Sequence, residues 1–159
     1  MKAYFAGGCF WCITPWFAKN QGVLKVLSGY SGGDEVNPSY EDVKSQKTMH
    51  RETIEVEYDE SKVNFKELLE IFLNNVDVYD DGGQFIDRGH SYTLAVYYTN
   101  ELEKQITIDR LKEYENKVYV SVEEFKSFYK AEEYHQDYYL KNPDAFEKEL
   151  IESGRKKWN

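Results

Sequence analysis

The stretch Glu52-Thr53-Ile54-Glu55-Val56-Glu57-Tyr58 alternates without a break. Ile54, Val56 and Tyr58 point one way and Thr53, Glu55 and Glu57 the other, the period-two pattern of a strand with one buried face. Shortly after it, Phe65, Leu68, Leu69, Phe72, Leu73 and Val76 recur at helical spacing, so residues 64–76 read as an amphipathic helix. Asn64 with Glu67 forms its expected capping pair.

Working outward, Lys2 to Phe5 reads as a short strand broken by Gly7-Gly8, and a helix follows with Phe10, Ile13 and Phe17 on one face. Pro15 has no N–H for the Trp11 carbonyl, so an irregular or kinked first turn is expected. Val23 to Tyr30 reads as a buried strand ending in Gly29-Tyr30-Ser31-Gly32-Gly33, and Tyr92 to Tyr98 as another strand. Leu102 to Tyr114 is a second amphipathic helix and Val118 to Val120 a short strand. Asn142 and Pro143 supply a cap and a first-turn proline for a last helix that stops at Gly154. Asp80-Asp81-Gly82-Gly83 lacks the spacing of a calcium loop and reads as a turn. Strands and helices mix without strict alternation, which predicts an α+β fold: one mixed sheet covered mainly by helices, in a single domain over residues 1–159.

The net charge of −9 offers no basic footprint for nucleic acid. Arg155-Lys156-Lys157 fits a helix-end charge complement better than a binding patch. No apolar run approaches ~20 residues, so no membrane span is expected. The apolar start Met1 to Ala6 is too short for a signal peptide, which leads to the expectation of a cytoplasmic protein. Fourteen tyrosines exceed what a core needs, so some are expected in a site. Cys9 and Cys12 do not make a disulfide scaffold. A zinc site would need two further ligands, whereas His50, His90 and His135 are scattered; no metal is expected.

Cys9 follows two glycines and precedes a helix start, where exposed amides and the positive dipole end favour a thiolate. A free cysteine is more often a small buried hydrophobe, and the Gly-Gly-Cys corner is what tips the reading to a nucleophile. Phe10 is in phase with the core positions Ile13 and Phe17. Trp11 is out of phase and suits a wall beside the thiol. Glu52 shares the apolar parity of Ile54, Val56 and Tyr58, so its carboxyl is expected to be desolvated and to hold a proton near neutrality; the competing reading is a strand-end carboxylate that reaches water. Tyr30, in a Gly-rich turn at a strand end, and Tyr92, at a strand start beside Gly89, are placed to project phenols into a cleft. Each would otherwise pass for a tyrosine at a sheet edge.

Gly8-Cys9-Phe10-Trp11, Gly29-Tyr30-Ser31-Gly32-Gly33, His50-Arg51-Glu52, Asp87-Arg88-Gly89-His90-Ser91-Tyr92 and the segment His135 to Pro143 together resemble the A-type peptide methionine sulfoxide reductases, in family order. The resemblance implies a two-layer ferredoxin-like sandwich. It also implies that Cys9 attacks the sulfoxide sulfur, that Phe10 and Trp11 hold the methyl group, and that Glu52 protonates the oxygen. Tyr30 and Tyr92 would hydrogen-bond that oxygen and Asp87 would assist through water. The implied substrate is the S epimer, in oxidised proteins or as free methionine sulfoxide. No bound cofactor is implied, only an external thiol reductant such as thioredoxin, glutaredoxin or dithiothreitol, acting on a monomer. The sequence departs from many members in having no cysteine after Cys12. Either Cys12 resolves the sulfenic acid on Cys9, or Cys12 is structural and an external thiol reduces Cys9. Rival readings are a thioredoxin-like disulfide oxidoreductase using Cys9 and Cys12, and an aromatic-rich peptide-binding module.

Overall fold

The computed structural model describes residues 1–155; Lys156 and Lys157 of the expected charge complement lie outside the described residues. The order of elements is β1 (Lys2–Gly7), α1 (Phe10–Ala18), β2 (Val23–Ser31), α2 (Tyr40–Lys44), β3 (Arg51–Tyr58), α3 (Phe65–Asn74), β4 (Gly83–Gln84), β5 (Asp87–Arg88), β6 (Leu94–Tyr98), α4 (Glu101–Leu111), β7 (Val120–Glu124), β8 (Tyr129–Lys130), α5 (Tyr138–Lys141) and α6 (Pro143–Ser153).

The main sheet runs β7-β6-β1-β3-β2-β8, and β4 pairs with β5 apart from it. Its central strands β6-β1-β3-β2 are antiparallel neighbours. Helices α1 and α3 connect strands that are not adjacent, so each strand-helix-strand unit straddles a strand of the other, which is the ferredoxin-like arrangement expected. β7 adds in parallel beyond β6.

Register explains the core. Phe5 lies opposite both Ile54 and Val96, and these residues share one face with Ala3 and Val56. Phe10, Ile13 and Phe17 of α1 and Leu68, Leu69 and Phe72 of α3 pack on that face. At ~1.5–3 kcal/mol for each fully buried large apolar side chain, this layer dominates stabilisation. The other face carries a smaller cluster of Tyr4, Ala6, Ala95 and Tyr97, covered by Phe125 and Phe128.

Local expectations were met in part. Asn64 Oδ1 accepts the Glu67 N–H at 2.8 Å, as the capping reading requires. Gly154 ends α6 in the left-handed region at φ +80°. Helix α1 runs on through Pro15, and Thr14 Oγ1 donates to the Phe10 carbonyl at 2.6 Å. Asn142 caps α6 by its carbonyl, which accepts the Phe146 N–H, and not by its side chain. Arg155 does not face solvent as a charge complement. It turns inward and donates to the carbonyls of Gly7 and Asn75, tying the end of α6 to β1 and α3. Tyr92 does not begin a strand: it closes a 3-10 turn, His90–Tyr92, because Gly89 at φ +120° breaks the extended backbone before β6 starts at Leu94.

Candidate active site

The chain leaves β1 through Gly8, at φ +86°, a conformation that suits glycine. A Cβ there would meet Arg155 Nη2 at 2.6 Å and Gln84 Cβ at 2.7 Å, so the corner is closed around a bare backbone. Cys9 follows as the N-cap of α1 with extended backbone, and its carbonyl accepts the Cys12 N–H at 3.0 Å. That tight turn brings the two thiols together. Cys9 is 5% exposed and Cys12 fully buried, packed among Phe146 and Leu150 of α6.

Glu52 sits in β3 directly opposite Tyr30 in β2, on the face that α1 covers. It is 1% exposed. One carboxylate oxygen accepts the Phe10 N–H at 3.2 Å, so the start of α1 holds it beside the thiol. Burial pushes its pKa up to about 8, with the nearby Asp87 and Glu149 charges acting in the same direction; the Phe10 N–H and the Tyr92 hydroxyl only partly offset this. The expectation of a desolvated carboxyl therefore describes Glu52 better than the strand-end alternative.

Cys9 departs from the simple helix-start expectation. Its resting thiol is held well above the usual range, first by its hydrogen bond with Cys12, then by burial and by the Glu52 and Glu149 charges. The amides at the start of α1 do not outweigh these, and one of them, from Phe10, is spent on Glu52.

The structure separates the tyrosines. Tyr92 is buried, and its hydroxyl neighbours Glu52, Tyr40, Cys9 and Asp87. The Tyr30 hydroxyl instead donates to Glu132 Oε1 at 2.8 Å, and its ring packs behind Phe10. Tyr30 lies within β2, flanked by Glu52 on one side and Tyr129 of β8 on the other, and not in a turn. The phenol that joins Tyr92 near the thiol is Tyr40, which the sequence reading passed over; it feels both Glu52 and Cys9 and hydrogen-bonds Tyr92. Its signal was the capping box of Ser39 and Asp42, which starts α2 at Tyr40. Asp87, in β5, is half-buried, and burial raises its pKa.

The aromatic wall has a keystone that the sequence did not single out. Trp11 Nε1 donates to His135 Nδ1 at 3.1 Å, and the Tyr40 ring lies 4.3 Å from the His135 ring. Burial lowers the His135 pKa, which favours the neutral ring needed to accept that bond. Phe10, 1% exposed, forms the floor against Tyr30 and His135, while half-buried Trp11 packs against the tilted Tyr138 ring, with centroids 4.1 Å apart. Next to His135, Gln136 bonds the Ser28 N–H and carbonyl and the Ala131 carbonyl, fixing this late segment to β2. His50 accepts the Gly33 N–H, and Arg51 pairs with Glu123 of β7 at 2.6 Å, so two motif residues are structural anchors.

Among the described residues, Cys9, Cys12 and Glu149 offer ligand atoms within 4.8 Å of one another. Two thiols and one carboxylate fall one ligand short of a closed tetrahedral zinc shell. No helix among the described residues is long and apolar enough to cross a membrane.

A buried thiol, a carboxyl of raised pKa and two neighbouring phenols bring together a nucleophile, an acid and hydrogen-bond donors. Comparisons with known proteins point the same way. The family model described as peptide methionine sulfoxide reductase matches residues 1–159. A peptide methionine sulfoxide reductase MsrA of Bacillus licheniformis is 41% identical over 159 residues, covering 96% of this chain and 88% of the relative. One from Bacillus velezensis is 42% identical, covering 96% and 90%. Among solved structures, methionine sulfoxide reductase A of Corynebacterium diphtheriae superposes with a TM-score of 0.85 at 26% identity, covering 89% of this chain and 74% of that one. Reduced Mxr1 from Saccharomyces cerevisiae gives 0.83 at 28% identity, covering 91% and 86%. Mxr1 in complex with Trx2 matches at 0.55 and 21% identity, a likeness of fold alone, covering 87% and 84%.

Proposed function

The chain belongs to the peptide methionine sulfoxide reductase family, and on that premise we propose that it reduces the S epimer of methionine sulfoxide, peptide-bound and free, through a sulfenic acid on Cys9. The observation that carries this reading is the juxtaposition of buried Cys9 with Glu52, a carboxyl held by the Phe10 N–H and raised to about 8.

In the first step the Cys9 sulfur forms a bond to the sulfoxide sulfur while Glu52 gives its proton to the sulfoxide oxygen. The hydroxyl then passes to Cys9 as the sulfur–sulfur bond breaks. The thioether is released, reduced by two electrons, and Cys9 is left as sulfenic acid, oxidised by two. Unprotonated, the oxygen is a poor leaving group, which is why acid and nucleophile must share one dry site. Tyr92 and Tyr40 supply the hydrogen bonds to oxygen in this proposal; Tyr40 takes the place assigned to Tyr30, whose hydroxyl is occupied by Glu132. Asp87 acts through water, and Phe10 and Trp11 form the wall against the methyl group.

The sulfenic acid then condenses with Cys12, expelling water and forming a Cys9–Cys12 disulfide. A dithiol of the thioredoxin or glutaredoxin type, or dithiothreitol, reduces it. The yeast relative Mxr1 is known in complex with Trx2, which supports a thioredoxin-type partner. We place the reaction in the cytoplasm, in a single domain acting as a monomer.

Turnover of the separate S and R epimers with dithiothreitol tests the proposal. The S epimer should be reduced, the R epimer should not, and Cys9→Ser should abolish the reaction. Reduction of insulin disulfides without sulfoxide turnover would replace it with the oxidoreductase alternative.

A further inference from the structure

The reaction set out above consumes a proton at oxygen but leaves open where the thiol protons go. Cys9 is held as a thiol, and its largest influences all oppose ionisation. Glu52 has to be protonated to act as the acid and cannot also accept a proton in the same step. Cys12 is itself a thiol that has to ionise later. A different group on α6 is placed to receive both protons. A carboxylate oxygen of Glu149 lies with Cys9 Sγ and Cys12 Sγ in one cluster, all within 4.8 Å. Phe146 and Leu150, three residues before and one after it, pack on the two cysteines, so this face of α6 is anchored against the start of α1.

We propose that Glu149 is the proton acceptor for the Cys9–Cys12 pair, complementing the proton donor Glu52. The inference rests on the reductase reading and deepens it. As Cys9 bonds to the sulfoxide sulfur, its proton passes to Glu149 while the Glu52 proton passes to oxygen. Glu149 then returns that proton to Glu52 or to water. In the resolving step, Cys12 loses its proton to Glu149 and attacks the Cys9 sulfur. The sulfur–oxygen bond breaks, and the hydroxide leaves as water with the proton from Glu149. Atoms and charge balance without any added oxidant.

The surroundings suit the role. Burial and the Asp87 and Glu152 charges raise the Glu149 carboxyl, opposed by Arg155. A raised acceptor is closer in proton affinity to a thiol than a solvated carboxylate is. Tyr40, Tyr138 and Glu52 also face its charge.

Glu149→Gln and Glu149→Asp test it, with turnover and iodoacetamide alkylation of Cys9 both followed against pH. Glu149→Gln should lose about 10²-fold in turnover at pH 7, and the deficit relative to the parent at the same pH should shrink as pH rises and hydroxide replaces the missing acceptor, while Glu149→Asp keeps most activity. Alkylation of Cys9 in Glu149→Gln should shift to lower pH, since an anion beside the thiol has gone. A carboxylate with only an electrostatic effect predicts the opposite for turnover, and Glu149→Gln as active as the parent would overturn the role of Glu149 alone. Loss of turnover in both variants together with lowered melting temperatures would mark Glu149 as structural and overturn it too. A parent that reduces no sulfoxide would overturn the reductase reading itself.

Discussion

The Phe10 backbone N–H donates to the Glu52 carboxylate at 3.2 Å, so the proton donor is tethered to the residue that follows the nucleophile. Any movement of the start of α1 moves acid and thiol together. This coupling places Glu52 where its protonated form is needed, and its pKa of about 8 makes that form abundant at neutral pH. Turnover is therefore expected to fall as pH rises through about 8. Glu52→Gln keeps the shape but has no carboxylic proton, and should lose about 10²–10⁴-fold in kcat with a modest change in KM. Steady-state kinetics from pH 6 to 9.5 check this; undiminished turnover would remove Glu52 from the mechanism.

The same carboxyl should leave a mark on stability. Its folded-state pKa lies above its ordinary value of 4.5, so folding favours the protonated form. The contribution is fully present below pH 4.5 and is lost as pH rises to about 8. Above that, the parent carries a buried charge that the glutamine variant lacks. Glu52→Gln should match the parent in stability near pH 4.5 and exceed it by a few kcal/mol, on the order of 1.4 per pH unit crossed, at pH 9. Urea unfolding at both pH values gives the comparison. An equal difference at both would show that Glu52 does not titrate in this range.

Strand β3 was legible because its later half alternates buried Ile54, Val56 and Tyr58 with partly exposed Glu55 and Glu57, and that parity carried back to the face of Glu52. Helix α3 was legible for the same local reason. The tyrosines were harder. Parity carried Tyr92 into β6 by extrapolation back from Leu94, into residues that a 3-10 turn after Gly89 keeps out of the strand. Tyr30 has the right sequence setting, yet its hydroxyl partner Glu132 is 102 residues away. Tyr40 owes its place to the same carboxylate, whose other oxygen accepts the Tyr40 N–H at 3.0 Å across 92 residues. The capping box of Ser39 and Asp42 marks where α2 starts, but no local pattern carries these distant partners. Glu149 is one acidic residue among many on a helix with polar and apolar positions mixed, and only the docking of α6 on α1 distinguishes it.

The Tyr92–Tyr40 pair and Tyr30 should separate in mutagenesis. Tyr92→Phe and Tyr40→Phe remove hydroxyls beside Glu52 and Cys9. Each should cost about 10²-fold in kcat, the scale of one lost oxyanion donor, with little effect on melting. Tyr30→Phe should do the reverse: near-parental kcat, and a destabilisation of about 0.5–1.5 kcal/mol from the lost hydrogen bond to Glu132 Oε1. Kinetics and thermal melts of all three variants decide the assignment. A kcat loss confined to Tyr30→Phe would restore the oxygen-binding role that the family resemblance implies for it.

Cys12 decides how the cycle closes. Its N–H bonds the Cys9 carbonyl at 3.0 Å, and the two sulfurs lie within 4.8 Å of one another, so the sulfenic acid forms next to a second thiol. Its full burial protects it from solvent oxidants but not from Cys9. After one equivalent of sulfoxide, the parent should therefore lose both thiols and resist labelling by a sulfenic-acid probe. Cys12→Ser should still release one equivalent of methionine, yet retain a labelled sulfenic acid on Cys9. With a thioredoxin-type reductant its steady-state rate should fall, because the disulfide that such a dithiol attacks cannot form; with excess dithiothreitol, which reaches the sulfenic acid directly, much of the rate should remain. Mass spectrometry of the single-turnover products reads the difference. Equal probe labelling in parent and variant would make Cys12 a packing residue and leave resolution to the external thiol.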